Sequence, residues 1–194
     1  MKLLLHICCA PCAIMPLTQL RADLADPSIV GYFYNPNIQP FKEYERRLAT
    51  LRLWANSQEL DLQVESYNPL GWLRRVVYNE QQRCRLCYQM RLQQAGLMAR
   101  RLQCQGFTST LLYSVYQNRK DILRAGRAAQ KLCQVEFLEY DFRSLWHEGQ
   151  EQARTLELYR QPYCGCIYSE AERYMKTDLT LAWAEGENDA IQSS

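Results

Sequence analysis

Leu3-Leu4-Leu5-His6-Ile7-Cys8-Cys9-Ala10-Pro11-Cys12 runs from an apolar segment straight into a cysteine box. Residues 3–8 are short and almost wholly apolar, the pattern of a strand buried on both faces. Residues 13–24 read as a helix, with Pro16 tolerable near its first turn. The alternation continues outward. Strands are expected at 29–34, 62–67, 107–113 and 135–140. Helices are expected at 41–60, 69–78, 84–103, 121–132, 145–160 and 169–176. Strands alternating with helices specify an α/β fold with a parallel sheet flanked by helices.

In such a sheet ligands bind beyond the carboxyl ends of the strands. Five polar features fall there: the cysteine box, Asn35-Pro36-Asn37, Tyr67-Asn68-Pro69, Ser114-Val115-Tyr116-Gln117 and Asp141. Two further pairs, Cys84/Cys87 and Cys164/Cys166, are expected in helical insertions that fold over the same edge. Residues 1–177 are expected to form one domain, and residues 178–194 an acidic, partly disordered tail.

The chain has 194 residues, 47% hydrophobic and 23% charged, enough for a core that needs no disulfide staples. No segment approaches the ~20 apolar residues of a membrane span. The apolar start carries His6 and ends in cysteines rather than small residues, unlike a signal peptide. A reducing, cytoplasmic location is expected. Residues 74–131 hold 12 basic and 2 acidic side chains, leaving the remainder at −8. Such an asymmetry suits either a polyanion-facing surface or simply solvated helices.

Seven of the nine cysteines cluster: Cys8, Cys9 and Cys12; Cys84 and Cys87; Cys164 and Cys166. Cys9-Ala10-Pro11-Cys12 alone would suit a thiol–disulfide oxidoreductase. Two pairs alone would suit a structural zinc in an RNA-binding module. Seven thiols exceed the four that one zinc or one cubane iron–sulfur cluster takes. Cys104 and Cys133 stand apart and read as small buried residues. His6 reads as a packed core imidazole and His147 as exposed.

Further boxes sharpen this: Tyr32-Phe33-Tyr34-Asn35-Pro36-Asn37-Ile38-Gln39-Pro40 with Glu43, Tyr44 and Arg47; Arg83-Cys84-Arg85-Leu86-Cys87-Tyr88 with Arg91 and Leu92; residues 107–114; and Tyr163-Cys164-Gly165-Cys166-Ile167-Tyr168-Ser169. In this order they resemble the cobalamin-independent epoxyqueuosine reductases, the QueH family, over residues 2–170. The resemblance implies a Rossmann-like fold of the HUP type without ATP chemistry. It implies reduction of epoxyqueuosine to queuosine at the wobble position of tRNA with a GUN anticodon. It also implies a [4Fe–4S] cluster beside a mononuclear iron. On that basis Cys9, Cys84, Cys87 and Cys166 are assigned to the cluster, and Cys8, Cys12 and Cys164 to the second iron.

Tyr34, Tyr78, Tyr88 and Tyr116 are candidate stacking or proton-donating groups, and Tyr34 and Tyr116 are taken as catalytic together with Cys8 and Cys12. Asn35, Asn37, Arg85, Arg91, Ser114 and Gln117 are the expected substrate contacts. The sequence has no Gly-x-Gly-x-x-Gly fingerprint, so electrons are expected from an external donor. Two departures from the family pattern stand out. Some relatives carry Asp where this chain has Cys12, and Val115 stands where Pro is expected.

Overall fold

Leu3, Leu4 and Leu5 are fully buried in the central strand of the sheet. Each such side chain contributes about 1.5–3 kcal/mol to folding. The computed structural model describes residues 1–175; the tail expected from residue 178 lies outside the described residues. In chain order the elements are β1 (Lys2–His6), α1 (Ala10–Asp23), β2 (Ser28–Phe33), α2 (Phe41–Ser57), β3 (Asp61–Val64), α3 (Pro69–Val76), α4 (Arg83–Arg101), β4 (Gly106–Ser109), α5 (Arg119–Cys133), β5 (Glu136–Phe137), α6 (Trp146–Thr155) and α7 (Ile167–Tyr174).

The five strands lie in the order β3-β2-β1-β4-β5, and every pairing is parallel. This is the doubly wound, Rossmann-like order, whose direction reverses between β1 and β4. Helix α1 packs with α2 and α6, whereas α4 packs with α5. Among the described residues no helix is long and apolar enough to cross a membrane.

Local chemistry sets several boundaries. Helix α1 starts at Ala10, earlier than expected, with Pro11 in its first turn. Pro16 therefore lies inside the helix and supplies no N–H to the carbonyl of Cys12, four residues back. Strand β4 stops at Ser109 because that side chain accepts a hydrogen bond from Leu111 N and starts a 3₁₀ turn over Thr110–Leu112. Asn68 caps α3 by accepting from Gly71 N, and Asn118 caps α5 by accepting from Asp121 N.

His6 is fully buried, and burial, then the nearby Arg91 charge, pull its pKa down to about 3. It is thus a neutral imidazole. The Tyr34 carbonyl, 3.1 Å from Nε2, can only accept, so Nε2 carries the proton. Nδ1 then accepts from Ser109 Oγ at 2.8 Å. His6 therefore ties the carboxyl end of β1 to those of β2 and β4, as a core residue.

Gly126 shows how closely α5 lies on the sheet, since a Cβ there would fall inside the ring of Phe137. Gly126→Ala is expected to destabilise the fold by about 1–3 kcal/mol despite alanine's higher helix propensity. Urea unfolding of the metal-free protein measures this; equal or greater stability would refute the packing.

Candidate metal centre

The sheet order reverses where β1 runs on through Ile7 to Cys8 and where β4 ends in Ser109. Thr110 joins the two ends: its Oγ1 accepts from Cys8 N at 3.1 Å and donates to Cys8 Sγ at 3.2 Å. The Sγ atoms of Cys8, Cys9 and Cys12 all lie within 4.8 Å of one another. Cys9 occupies the N-cap of α1, and Cys12 sits in its first turn.

Three sulfurs this close cannot all ionise. Hydrogen bonds from Cys12 and then Cys9, helped by Arg91 and Thr110, hold Cys8 well below the usual thiol range against the cost of burial. Cys12 is pushed up in turn, chiefly by its bonds to Cys8 and Cys9. The bond with Cys12 pulls Cys9 down, but its bond to Cys8, burial and the Cys8 charge win and raise it to about 12. Within the trio, ionisation is therefore easiest at Cys8.

The other four clustered thiols come from two elements. Cys84 and Cys87 lie one turn apart at the start of α4. Cys164 and Cys166 sit in the loop before α7, 3.7 Å apart. Cys87 and Cys166 pack together with Trp72 and Val76 of α3. Ser169 Oγ lies 2.9 Å from Cys164 Sγ and donates to the Cys166 carbonyl at 2.8 Å. A hydrogen bond from Cys166, then the Cys166 backbone and Ser169, take Cys164 down to about 6 despite burial. Burial, then the Cys164 charge, push Cys84 up to about 11, and burial raises Cys87.

Two buried guanidiniums bind these groups together. Arg91, on α4, donates to Asn35 Oδ1 at 2.6 Å, and its charge acts on Cys87, Cys8 and Cys164. Arg47, on α2, is 1% exposed. It pairs with Glu43 at 2.6 Å, donates to the Cys164 carbonyl at 2.9 Å and reaches the Tyr163 carbonyl at 3.5 Å. Tyr159 OH donates to the same Glu43 at 2.6 Å. Gly165, at φ +120°, makes this approach possible: a Cβ there would lie 2.9 Å from Arg47 Nη1 and 3.0 Å from Ile38. Gln39 N donates to the Gly165 carbonyl at 2.8 Å, and Gln161 Nε2 lies 3.2 Å from Cys9 Sγ. The last thiol loop is thus pinned to α2 on one side and to the first cysteine box on the other.

The residues expected from the sequence occupy varied positions. All seven clustered thiols belong to these two groups. Cys9, however, stands with Cys8 and Cys12, and Cys164 stands with Cys166, so the expected division between two metals cuts across both groups. Cys104 and Cys133 are buried elsewhere in the fold. Asn35 is committed to Ile7 O at 2.9 Å and to Arg91. Arg91 is buried, so it positions neighbours rather than presenting itself at the surface. Tyr88 is buried and bonds Gln117 Oε1 at 2.7 Å, which occupies both. Asn37 is buried with an unpartnered Oδ1. Tyr34 is half-buried, Ser114 accepts from Tyr116 N, and Arg85 faces Asp121 from the surface. Tyr116 is 81% exposed, its ring edge-on to Trp146.

Arg47, Glu43, Thr110 and Gln161 were given no role from sequence. Only the i, i+4 spacing of Glu43 and Arg47 hinted at a pair. The donor set fits a soft metal or an iron–sulfur cluster: thiolates, more than four, with buried cations to balance them.

Arg47→Ala would leave Glu43, largely shielded from water, with only Tyr159 OH as partner, at a cost of up to about 3–5 kcal/mol. Alkylation of metal-free protein, mapped by mass spectrometry, is expected to speed up at Cys166 and not at Cys133. Arg47→Lys should restore only part of the protection. Uniform acceleration would signal global unfolding, and unchanged Cys166 reactivity would refute the clasp.

Comparison with known proteins bears on this geometry. A family model described as epoxyqueuosine reductase QueH matches residues 3–172. The chain is similar to the epoxyqueuosine reductase QueH of Dehalococcoides mccartyi, 36% identical over 176 residues, covering 90% of this chain and 96% of the relative. That of Histophilus somni is 34% identical over 180 residues, covering 87% and 72%. That of Thermotoga maritima is 32% identical over 183 residues, covering 89% and 92%. Among solved structures, the U34-tRNA thiolase NcsA from Methanococcus maripaludis with its [4Fe-4S] cluster aligns at TM-score 0.48 and 10% identity. It covers 87% of this chain and 61% of that one, a likeness too slight to argue from.

Proposed function

This chain belongs to the QueH family of epoxyqueuosine reductases, and from that premise we propose that it deoxygenates epoxyqueuosine at the wobble position of tRNA. Two electrons and two protons convert the epoxide to an alkene and release its oxygen as water. The observation that carries the proposal is the convergence of seven thiols, from three separate stretches of chain, at one end of a parallel sheet. A dithiol oxidoreductase would need only Cys9 and Cys12, and a structural zinc only four sulfurs.

Cys9, Cys84, Cys87 and Cys166 would hold a [4Fe–4S] cluster, and Cys8, Cys12 and Cys164 a neighbouring iron. Burial runs with this division at six of the seven thiols: Cys9, Cys87 and Cys166 are buried and Cys8, Cys12 and Cys164 are more accessible, while Cys84 is exposed although assigned to the cluster. When bound, such a centre supplies single electrons and a Lewis acid for the departing oxygen.

The chain's own groups do the rest. Arg91 and Arg47 offset thiolate charge. Tyr34 is the candidate donor to the leaving oxygen, because burial, then the Glu65 charge, raise its pKa and keep its proton in place. Tyr116 is the candidate on the opposite, exposed rim. Ser114, half-buried, is the candidate contact to the modified base, whereas Asn37 Oδ1 is unpartnered but buried. Electrons come from an external donor, and a GUN anticodon carries the substrate.

Anaerobic reconstitution is expected to give a brown protein with about five irons and about four sulfides per chain. Incubation with a strong reductant and epoxyqueuosine-containing tRNA should remove one oxygen's mass from the nucleoside. An intact cluster with no mass change would defeat the assignment, and one zinc without sulfide would favour a structural site. Tyr34→Phe is expected to slow single-turnover reduction about 100-fold with iron content unchanged. An unchanged rate would remove Tyr34 as the donor.

A further inference from the structure

Residues 74–131 carry twelve cations, and the structure sorts them. Arg91 is buried. Arg83, Arg85, Arg119, Arg124 and Arg127 each face a carboxylate. Arg100, Arg101 and Lys131 lie in the last turns of α4 and α5. Those turns sit at the opposite edge of the sheet from the thiols, as the bond from Lys2 Nζ, at the start of β1, to Leu102 O shows. Near the thiols three exposed cations have no hydrogen bond or ion pair among the described residues: Arg74 and Arg75 on α3, and Lys120 at the start of α5.

Helix α3 is also where an aromatic side chain stands out. Tyr78, just past the helix, is 93% exposed. Its backbone is left-handed, at φ +63°, a conformation that favours Gly or Asn over a bulky ring. The bond from its N–H to Glu80 Oε1 at 2.8 Å holds the turn. The other face of α3 places Trp72 and Val76 against Cys87 and Cys166. Arg74 and Arg75 therefore ride on the helix that packs against two of the thiols, with Tyr78 just past its end, and the Arg75 charge reaches Tyr34.

We propose that Tyr78, Arg74 and Arg75 form a docking ridge for the anticodon loop, with an unpaired base stacked on Tyr78 and adjacent phosphates on the two arginines. The proposal rests on the tRNA-reductase function above and adds the residues that hold the loop. An exposed ring on a basic helix matches how single-stranded RNA is bound: sequence-tolerant stacking plus cations on the backbone. On the α5 rim only one unpaired cation, Lys120, is found among the described residues, and Tyr116, though 81% exposed, already packs its ring edge-on to Trp146.

The test measures binding of iron-loaded full-length protein to epoxyqueuosine-containing tRNA at several salt concentrations. Tyr78→Ala should weaken binding about tenfold or more, and Tyr78→Phe should stay within about twofold. Tyr78→Gly should bind as weakly as Tyr78→Ala yet melt no lower than wild type, because glycine suits that backbone. Arg74→Ala with Arg75→Ala should flatten the log–log salt dependence by about 1.4, at roughly 0.7 per phosphate contact on single strands. Wild-type affinity in Tyr78→Ala, with tRNA binding intact, would overturn the ridge alone. Failure of the wild-type protein to bind tRNA would overturn the proposed function and the ridge with it.

Discussion

Gathering seven ionisable sulfurs at one end of a sheet concentrates negative charge where water is scarce. Each thiolate formed there raises the cost of forming the next. The protein answers with two buried guanidiniums, one from each side. Arg91 rises from the helix that carries Cys84 and Cys87 and reaches across to Cys8. Arg47 comes from the opposite helix layer and takes the carbonyl beside Cys164. The same two residues also hold the site's frame, through Asn35 and Glu43, so charge balance and architecture cannot be separated here.

The sheet was legible because its strands are apolar runs and its connections are helical, a pattern that depends only on local periodicity. All five strands and their parallel sense followed from it. Strand ends were less legible. The expected strand at 107–113 breaks at Ser109, where a side-chain hydrogen bond outcompetes β propensity. Strand β5 keeps two residues of an expected six, as an edge strand with one paired neighbour.

Within the site, the thiols themselves were readable from spacing, but their partners were not. Arg91 looks like one more cation in a basic segment. Its position seven residues after Cys84 and four after Cys87 places it on the cysteine face of α4, and that periodicity was the available signal. Arg47 offered less, since its target is a backbone carbonyl more than a hundred residues away. The charge asymmetry misled in a different way. Five of the twelve cations face carboxylates, and three of those carboxylates, Asp141, Glu139 and Glu172, come from outside the basic segment.

The clasp on Gly165 also orders events in time. The sheet and five of the seven clustered thiols are encoded before residue 140. During synthesis those parts leave the ribosome first and can fold domain-like while the remainder is still being made. Cys164 and Cys166 arrive last and enter only when their loop seats on Arg47 and Gln39. The last two of the seven thiols are therefore set in place by a loop made after the rest of the site, and their position depends on how that loop seats on Arg47 and Gln39.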